Sequence, residues 1–191
     1  MISRFFRKTA AKLACNGNIQ EKYVELYAKT MELTVAMGIS LVTALLIGYF
    51  CGMWWHGIVF LAAFIPLRSY AGGYHAGGYI SCYIESCGLF TAALLFLKFV
   101  VLKWQMIILI ILLFLFSSAV IFVLAPLADK NKPVSEKEEK VFKKRTHMLL
   151  CVEMALSIIL FLCKVSYGYA VMTAVIVSAF VLVLQKWKSR K

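Results

Sequence analysis

Charge is scarce in this chain, and acidic charge is scarcer still. Only 16% of the 191 residues are charged, 62% are apolar, and Asp and Glu together number 9. Soluble domains carry about 25% charged and about 45–50% apolar residues, so this composition excludes a soluble fold. Proline is nearly absent, with 3 residues, of which Pro66 and Pro126 each close an apolar run. There is no internal repeat and no low-complexity tract. The 6 cysteines (Cys15, Cys51, Cys82, Cys87, Cys151 and Cys163) form no CxxC pair and show no zinc-type spacing. That pattern argues against a disulfide framework and against structural zinc. Histidine is limited to His56, His75 and His147, and neither His56 nor His147 easily joins His75. One His, one Cys and one Glu without ligand spacing make no metal site, so no metal and no cofactor is expected.

Basic residues are the exception to this poverty. Lys and Arg number 21, for a net charge of +12. They fall mostly outside the apolar runs, where they act as topology signals and as contacts for anionic lipid. No recognisable nucleic-acid-binding module accompanies them, so no nucleic-acid partner is expected.

The sequence reads as an all-α, polytopic integral membrane protein with about six membrane segments. The apolar stretches run from Leu33 to Cys51, Trp55 to Leu67, Tyr79 to Leu97, Gln105 to Ala125, Met148 to Cys163 and Tyr167 to Leu184. The second and fifth are short against the roughly 20 residues that cross a bilayer, which suggests re-entrant or tilted segments. Ahead of them, Ile2, Phe5, Phe6, Ala10 and Leu13 share one helical face, with Arg4, Arg7, Lys8 and Lys12 opposite. This is the pattern of an interfacial amphipathic helix, not of a signal peptide. Asn16-Gly17-Asn18 breaks it, and Asn18 with Glu21 marks the start of a second helix. The chain thus divides into a cytoplasmic amphipathic segment, 1–32, and a membrane domain, 33–191, with loops at 68–78 and 126–147.

With six crossings, all basic residues except Lys98, Lys103 and Lys164 fall on one side. The positive-inside rule makes that side cytoplasmic. Both termini and both loops then lie inside, and the turn at Gly52-Met53-Trp54-Trp55-His56 lies outside. The 126–147 loop has a mixed-charge stretch, Glu136-Lys137-Glu138-Glu139-Lys140, and then Lys143-Lys144-Arg145. It reads either as a solvated, partly helical connector or as a docking surface for an acidic peptide tail.

The segment from Arg68 to Cys82, at the inner face, carries the chemistry. It holds Arg68, Gly72, Gly73, His75, Gly77, Gly78 and Cys82. Ionisable groups at membrane depth are costly and mark functional candidates. A thiol with a nearby imidazole is the minimal kit for thiolate catalysis. On one straight helix the pair would stand about 10.5 Å apart along the axis, too far for a hydrogen bond. The glycines allow the chain to turn and bring His75 onto Cys82. A Cys82 in the first helical turn would gain further thiolate character from the helix dipole. Arg68 either snorkels to phosphate or holds a substrate carboxylate or oxyanion. Glu85, three residues into an apolar run, calls for a partner in Arg68 or His75 and is a candidate to orient the imidazole. Read as packing alone, Gly73-Tyr-His-Ala-Gly77 is a GxxxG motif and Cys82 is inert filler.

Arg68, Gly72-Gly73-Tyr74-His75-Ala76 and Cys82, placed just after a short hydrophobic hairpin, resemble the accessory gene regulator protein B family of membrane endopeptidases. Length, basic N-terminus and multi-span layout agree, so the resemblance covers essentially the whole chain. It implies a cysteine peptidase of Gram-positive quorum sensing, in the plasma membrane, acting on an AgrD-like precursor peptide. Cys82 would be the nucleophile and His75 its base. The precursor's C-terminal tail would leave, and the remainder, held as a thioester on Cys82, would close to a thiolactone or lactone. Gly77-Gly78 after the His-Ala pair is a departure that makes this loop more flexible. The GxxxG pattern and the cytoplasmic loop also make a homodimer plausible. Two other classes compete. A peptide or small-molecule transporter would need polar residues through several spans, and only Glu85 and Glu153 lie clearly inside apolar runs. A scaffold acting through the 126–147 loop leaves His75 and Cys82 unexplained.

Overall fold

The computed structural model describes residues 2–15, 20–72, 79–102, 106–127, 136–163 and 165–189. Among these every regular element is helical. The amphipathic N-terminal pattern forms α1 (Ile2–Cys15), which buries Ala10 and packs on the long α2 (Val24–Phe50). An ion pair links Arg7 to Glu25 at 3.3 Å, but both side chains are exposed, so it contributes about 1 kcal/mol at most. The regular second helix starts later than the Asn18–Glu21 pattern suggests. A 3-10 turn at Glu21–Tyr23 precedes it, and Asn18 lies outside the described residues.

α2 ends where backbone geometry demands glycine. Gly52 has φ 70°, its N–H donates to the Tyr49 carbonyl at 3.0 Å, and the Met53 N–H donates to the Gly48 carbonyl at 2.9 Å. These paired bonds satisfy the orphan carbonyls of the last turn and reverse the chain into α3 (Trp54–Ala71). Then follow α4 (Tyr79–Leu102), α5 (Ile107–Leu124), α6 (Glu136–Leu162) and α7 (Tyr167–Ser189).

The helices bear out an all-α polytopic membrane protein, but the number of spans differs from the six expected. Among the described residues four are long and apolar enough to cross: Val24–Phe50, Ile107–Leu124, Glu138–Leu162 and Tyr167–Lys188. α3 has 18 residues and includes Pro66 and Arg68. It is as long as the spanning α5, so what sets it apart is lower apolarity, with His56, Pro66, Arg68 and Tyr70 all inside it. α4 is 24 residues long, but its side chains are described over 83–99 only, so it is not counted either way. The fifth apolar stretch, expected to be short, is the far half of α6. That helix begins at Glu136 and therefore takes up much of the expected 126–147 loop.

α7 is the central helix. It packs against α3, α4, α5 and α6, and Ala170, Val171, Met172, Ala174 and Val175 are all buried. A helix apolar on every side is the one a bundle encloses. On one flank Met172, Val175, Ala179 and Leu182 join Leu67, Ile110, Phe114, Ile121 and Leu150. On the other, Ala170, Val171 and Ala174 join Ala44, Phe60, Phe90, Leu94 and Leu97. The outer faces of α2 and α5, with Met37, Val42, Ile108, Leu112 and Phe116 exposed, are the surfaces left for lipid.

Candidate functional site at the basic end of the bundle

α3 delivers the Arg68–Cys82 segment, and its C-terminus is held with some force. Gly72 ends the helix at φ 82° and ψ −179°, a conformation essentially reserved for glycine. A methyl group there would collide with the backbone carbonyl of Leu127. The Leu127 N–H donates to the Ala71 carbonyl at 3.1 Å, so the chain leaving α5 lies directly on the end of α3. Gly72 is thus fixed both by its own backbone angles and by a neighbour with no room for a side chain.

One turn earlier, Arg68 is half-buried, with its guanidinium 5.8 Å from the centroid of the Phe64 ring. At an attractive cation–π distance, this contact turns the charge back along α3. Tyr70 faces α6, where Arg145 lies 5.3 Å from its ring centroid and donates to its hydroxyl at 3.3 Å. The Phe142 ring adds a contact at 6.1 Å. Further along α6, His147 stacks on Phe122 of α5 at 4.3 Å and its Nε2 lies 3.1 Å from the Phe122 carbonyl. The ends of α3 and α5 and the start of α6 therefore meet at one end of the bundle. Lys140, Lys143, Lys144 and Arg145 stand exposed there on α6. Glu138 and Glu139 are exposed on the same stretch, and Arg145 brings a positive charge to Tyr70, two residues before Gly72.

The far side of that segment is α4, of which Cys82 is the fourth residue. Its neighbour Tyr83 has its hydroxyl 2.9 Å from Thr43 Oγ1 of α2. Gly73, His75 and the side chain of Cys82 lie outside the described residues. Glu85 differs from expectation. Its side chain is exposed, not buried, because this part of α4 turns it away from the bundle core. Cys87 is a half-buried free thiol. Between α2 and α3 a groove of about 340 Å³ is lined by Leu41, Leu45, Ile58, Leu61, Ala62, Ile65 and Pro66. It ends two residues short of Arg68. Among the described residues no three His, Cys, Asp or Glu side chains gather as a metal site.

Three of these relationships have no signal in the sequence. Arg145 is 75 residues from Tyr70, Tyr83 is 40 from Thr43, and Leu127 carries no motif. Only the juxtaposition of helix ends reveals them.

The family model described as accessory gene regulator B matches residues 6–185. A protein described as AgrB-like from Clostridium perfringens (strain SM101 / Type A) is 24% identical over 186 residues, covering 93% of this chain and 86% of its own. An AgrB-like protein 2 from Clostridium perfringens (strain 13 / Type A) shows the same identity and coverage. No solved structure matches the chain.

Proposed function

The chain belongs to the accessory gene regulator B family of quorum sensing, and from that premise we propose that it is a membrane cysteine endopeptidase that matures an AgrD-like precursor peptide. The observation that carries the reading is the sequence Arg68…His75…Cys82, which runs from the last turn of α3 past its glycine end to the first turn of α4. His75 takes the Cys82 proton, and the thiolate attacks the carbonyl at the boundary between the precursor's central part and its C-terminal tail. The imidazolium then gives its proton to the leaving amine. The tail departs and the remainder stays on Cys82 Sγ as a thioester. A Cys or Ser within that remainder gives its proton to the now neutral His75 and attacks the thioester carbonyl, which closes a thiolactone or lactone and frees the Cys82 thiolate.

Several features support this chemistry. Cys82 is the fourth residue of α4, where unpaired backbone N–H groups favour a thiolate. The thioester keeps the acyl group activated, so ring closure competes with hydrolysis only if water is kept out. A site at a membrane face excludes water and holds the internal nucleophile at high effective concentration. The basic end of the bundle is taken as cytoplasmic, where newly made peptide arrives. The apolar groove between α2 and α3 suits the apolar side of an amphipathic precursor lying in the interface. Arg68 is assigned to a substrate carboxylate or to the oxyanion.

The test is mass spectrometry of membranes holding the protein and a candidate precursor, in wild-type, His75→Ala, Cys82→Ala and Cys87→Ala forms. Wild type and Cys87→Ala are expected to release the tail, with an adduct on Cys82 equal in mass to the N-terminal fragment. His75→Ala and Cys82→Ala are expected to leave the precursor intact. Tail release by Cys82→Ala would sink the mechanism.

A further inference from the structure

α6 carries a carboxyl group that the peptidase reading does not use. Glu153 is 5% exposed, and its Oε2 is buried with no hydrogen-bond partner. Ser157, one helical turn on and therefore on the same face, is fully buried, and its Oγ also lacks a partner. Their position in the fold follows from the contacts at the two ends of α6. Arg145 ties one end to Tyr70 of α3, and Ser166, just beyond the other end, bonds His56 of α3 at 3.0 Å. α6 and α3 therefore run antiparallel, with Glu153 between the two ties. α7 closes the other side, with Gly168 set against the Ser157 carbonyl.

An ionised carboxylate in such a place costs several kcal/mol or more unless a counter-charge is near. The elements packed around α6 offer none at that level. α3 has no titratable side chain between Gly57 and Leu67, α7 has none between Ala170 and Leu184, and α5 has none from Ile107 to Leu124. On α6 itself only Cys151 is near, and it is exposed. The charged or titratable groups of these helices stand toward the bundle ends: His56 at Ser166, Arg68 at Phe64, and Tyr70 with Arg145. Among the described residues, then, no side chain neutralises the carboxyl, which leaves a bound cation to do so. Oxygen ligands with one formal charge suit a small hard cation, of which the proton is the smallest.

We propose that Glu153 and Ser157 form an intramembrane cation site, in which a bound proton or alkali-metal ion neutralises the Glu153 carboxyl and draws in Ser157 Oγ, which is not bonded to that carboxyl here, as a second oxygen. The site lies inside the helix bundle and couples the α3–α6–α7 packing to the concentration of that cation.

The test uses the full-length protein in lipid nanodiscs. Dicyclohexylcarbodiimide, an apolar reagent for protonated carboxyls, is applied over a range of pH with and without sodium, and the adduct is located by mass spectrometry. The melting temperatures of wild type and Glu153→Gln are measured over the same grid. The expected result is an adduct on Glu153 that diminishes as pH rises, together with a wild-type melting temperature that depends on proton or sodium concentration and a Glu153→Gln protein that lacks this dependence. Protection from the reagent by sodium assigns the site to an alkali ion, and indifference to sodium assigns it to the proton. If Glu153 takes no adduct and the two proteins melt alike across the grid, the proposal is overturned. Peptide cleavage is not part of the readout, so failure here leaves the peptidase reading untouched.

Discussion

Tyr83 of α4 donates its phenolic hydrogen to Thr43 of α2. The heavy atoms are 2.9 Å apart, and the direction follows because the Thr43 hydroxyl spends its own hydrogen on the Ile39 carbonyl, also at 2.9 Å. Tyr83 adjoins Cys82 in the chain, so this bond fixes the rotation of α4 about its axis at the residue that presents the thiol. Tyr83→Phe and Thr43→Val are each expected to cost about 1 kcal/mol of unfolding free energy. Both remove the same bond, so the double variant should cost little more than either single one. Denaturant unfolding in nanodiscs checks the energies. Under the proposed chemistry the same variants slow thioester formation, while Thr43→Ser, which keeps the acceptor, restores it.

Gly72 and Gly52 make a controlled pair. Both have positive φ, 82° and 70°, but nothing lies within 4 Å of a Cβ placed at Gly52, whereas one placed at Gly72 meets the Leu127 carbonyl. Gly52→Ala is expected to cost about 1–2 kcal/mol, the left-handed penalty alone. Gly72→Ala adds the displacement of Leu127 to a conformation that itself costs about 1–3 kcal/mol. It should therefore be the worse of the two by thermal melting. Under the proposed chemistry it should also reduce precursor cleavage more than its stability loss explains, since it moves the start of the Arg68–Cys82 segment. Equal effects at the two positions would show that the Leu127 contact yields easily.

Much of this architecture is legible in the order of the amino acids. The amphipathic α1 announces itself by its 3.6-residue period, and the long apolar runs by their composition. Even so, the apolar run Trp55–Leu67 reads as a membrane segment, whereas the helix it belongs to takes in His56, Pro66 and Arg68 and is less apolar than the four candidate spans. Nor does composition reveal that α6 starts at Glu136, since a helix that leaves the apolar zone changes its residue types without ending. Glu85 reads as buried because it sits in an apolar run, yet one face of such a helix points out of the bundle. The motif of Arg68, His75 and Cys82 stands out because chemistry restricts residue types. The contacts that hold its two ends, Leu127 on Gly72 and Thr43 on Tyr83, join distant positions and leave no local trace.

Arg145 and Tyr70 interact mainly through the ring face. The hydroxyl contact is long at 3.3 Å and the guanidinium is exposed. Tyr70→Phe should therefore change stability little. Tyr70→Ala and Arg145→Ala should each cost about 0.5–1 kcal/mol. Arg145→Lys should recover only part of that, because an ammonium cannot lie flat on the ring. Melting curves of the four variants at low and high salt check this. A loss in Tyr70→Phe as large as in Tyr70→Ala would shift the credit to the hydrogen bond.

The orientation of the bundle can be tested through its own cysteines. Cys51 ends α2, and Cys163 follows α6. The His56–Ser166 bond places the start of α3 beside the α6–α7 turn, so Cys51 and Cys163 lie at the same end. Gly72, Arg145 and the exposed lysines of α6 lie at the other end. If the positive-inside rule orients the bundle, that other end faces the cytoplasm. In intact cells a membrane-impermeant maleimide should therefore modify Cys163, which is exposed, and to a lesser degree the half-buried Cys51. Cys15, exposed at the end of α1, should react only after the cells are opened. Single-cysteine variants separate the three signals. Labelling of Cys15 from outside, with Cys51 and Cys163 protected, would invert the bundle. The glycine-rich segment would then face away from the ribosome's products, and a peptidase acting on newly made precursor would need a different route to its substrate.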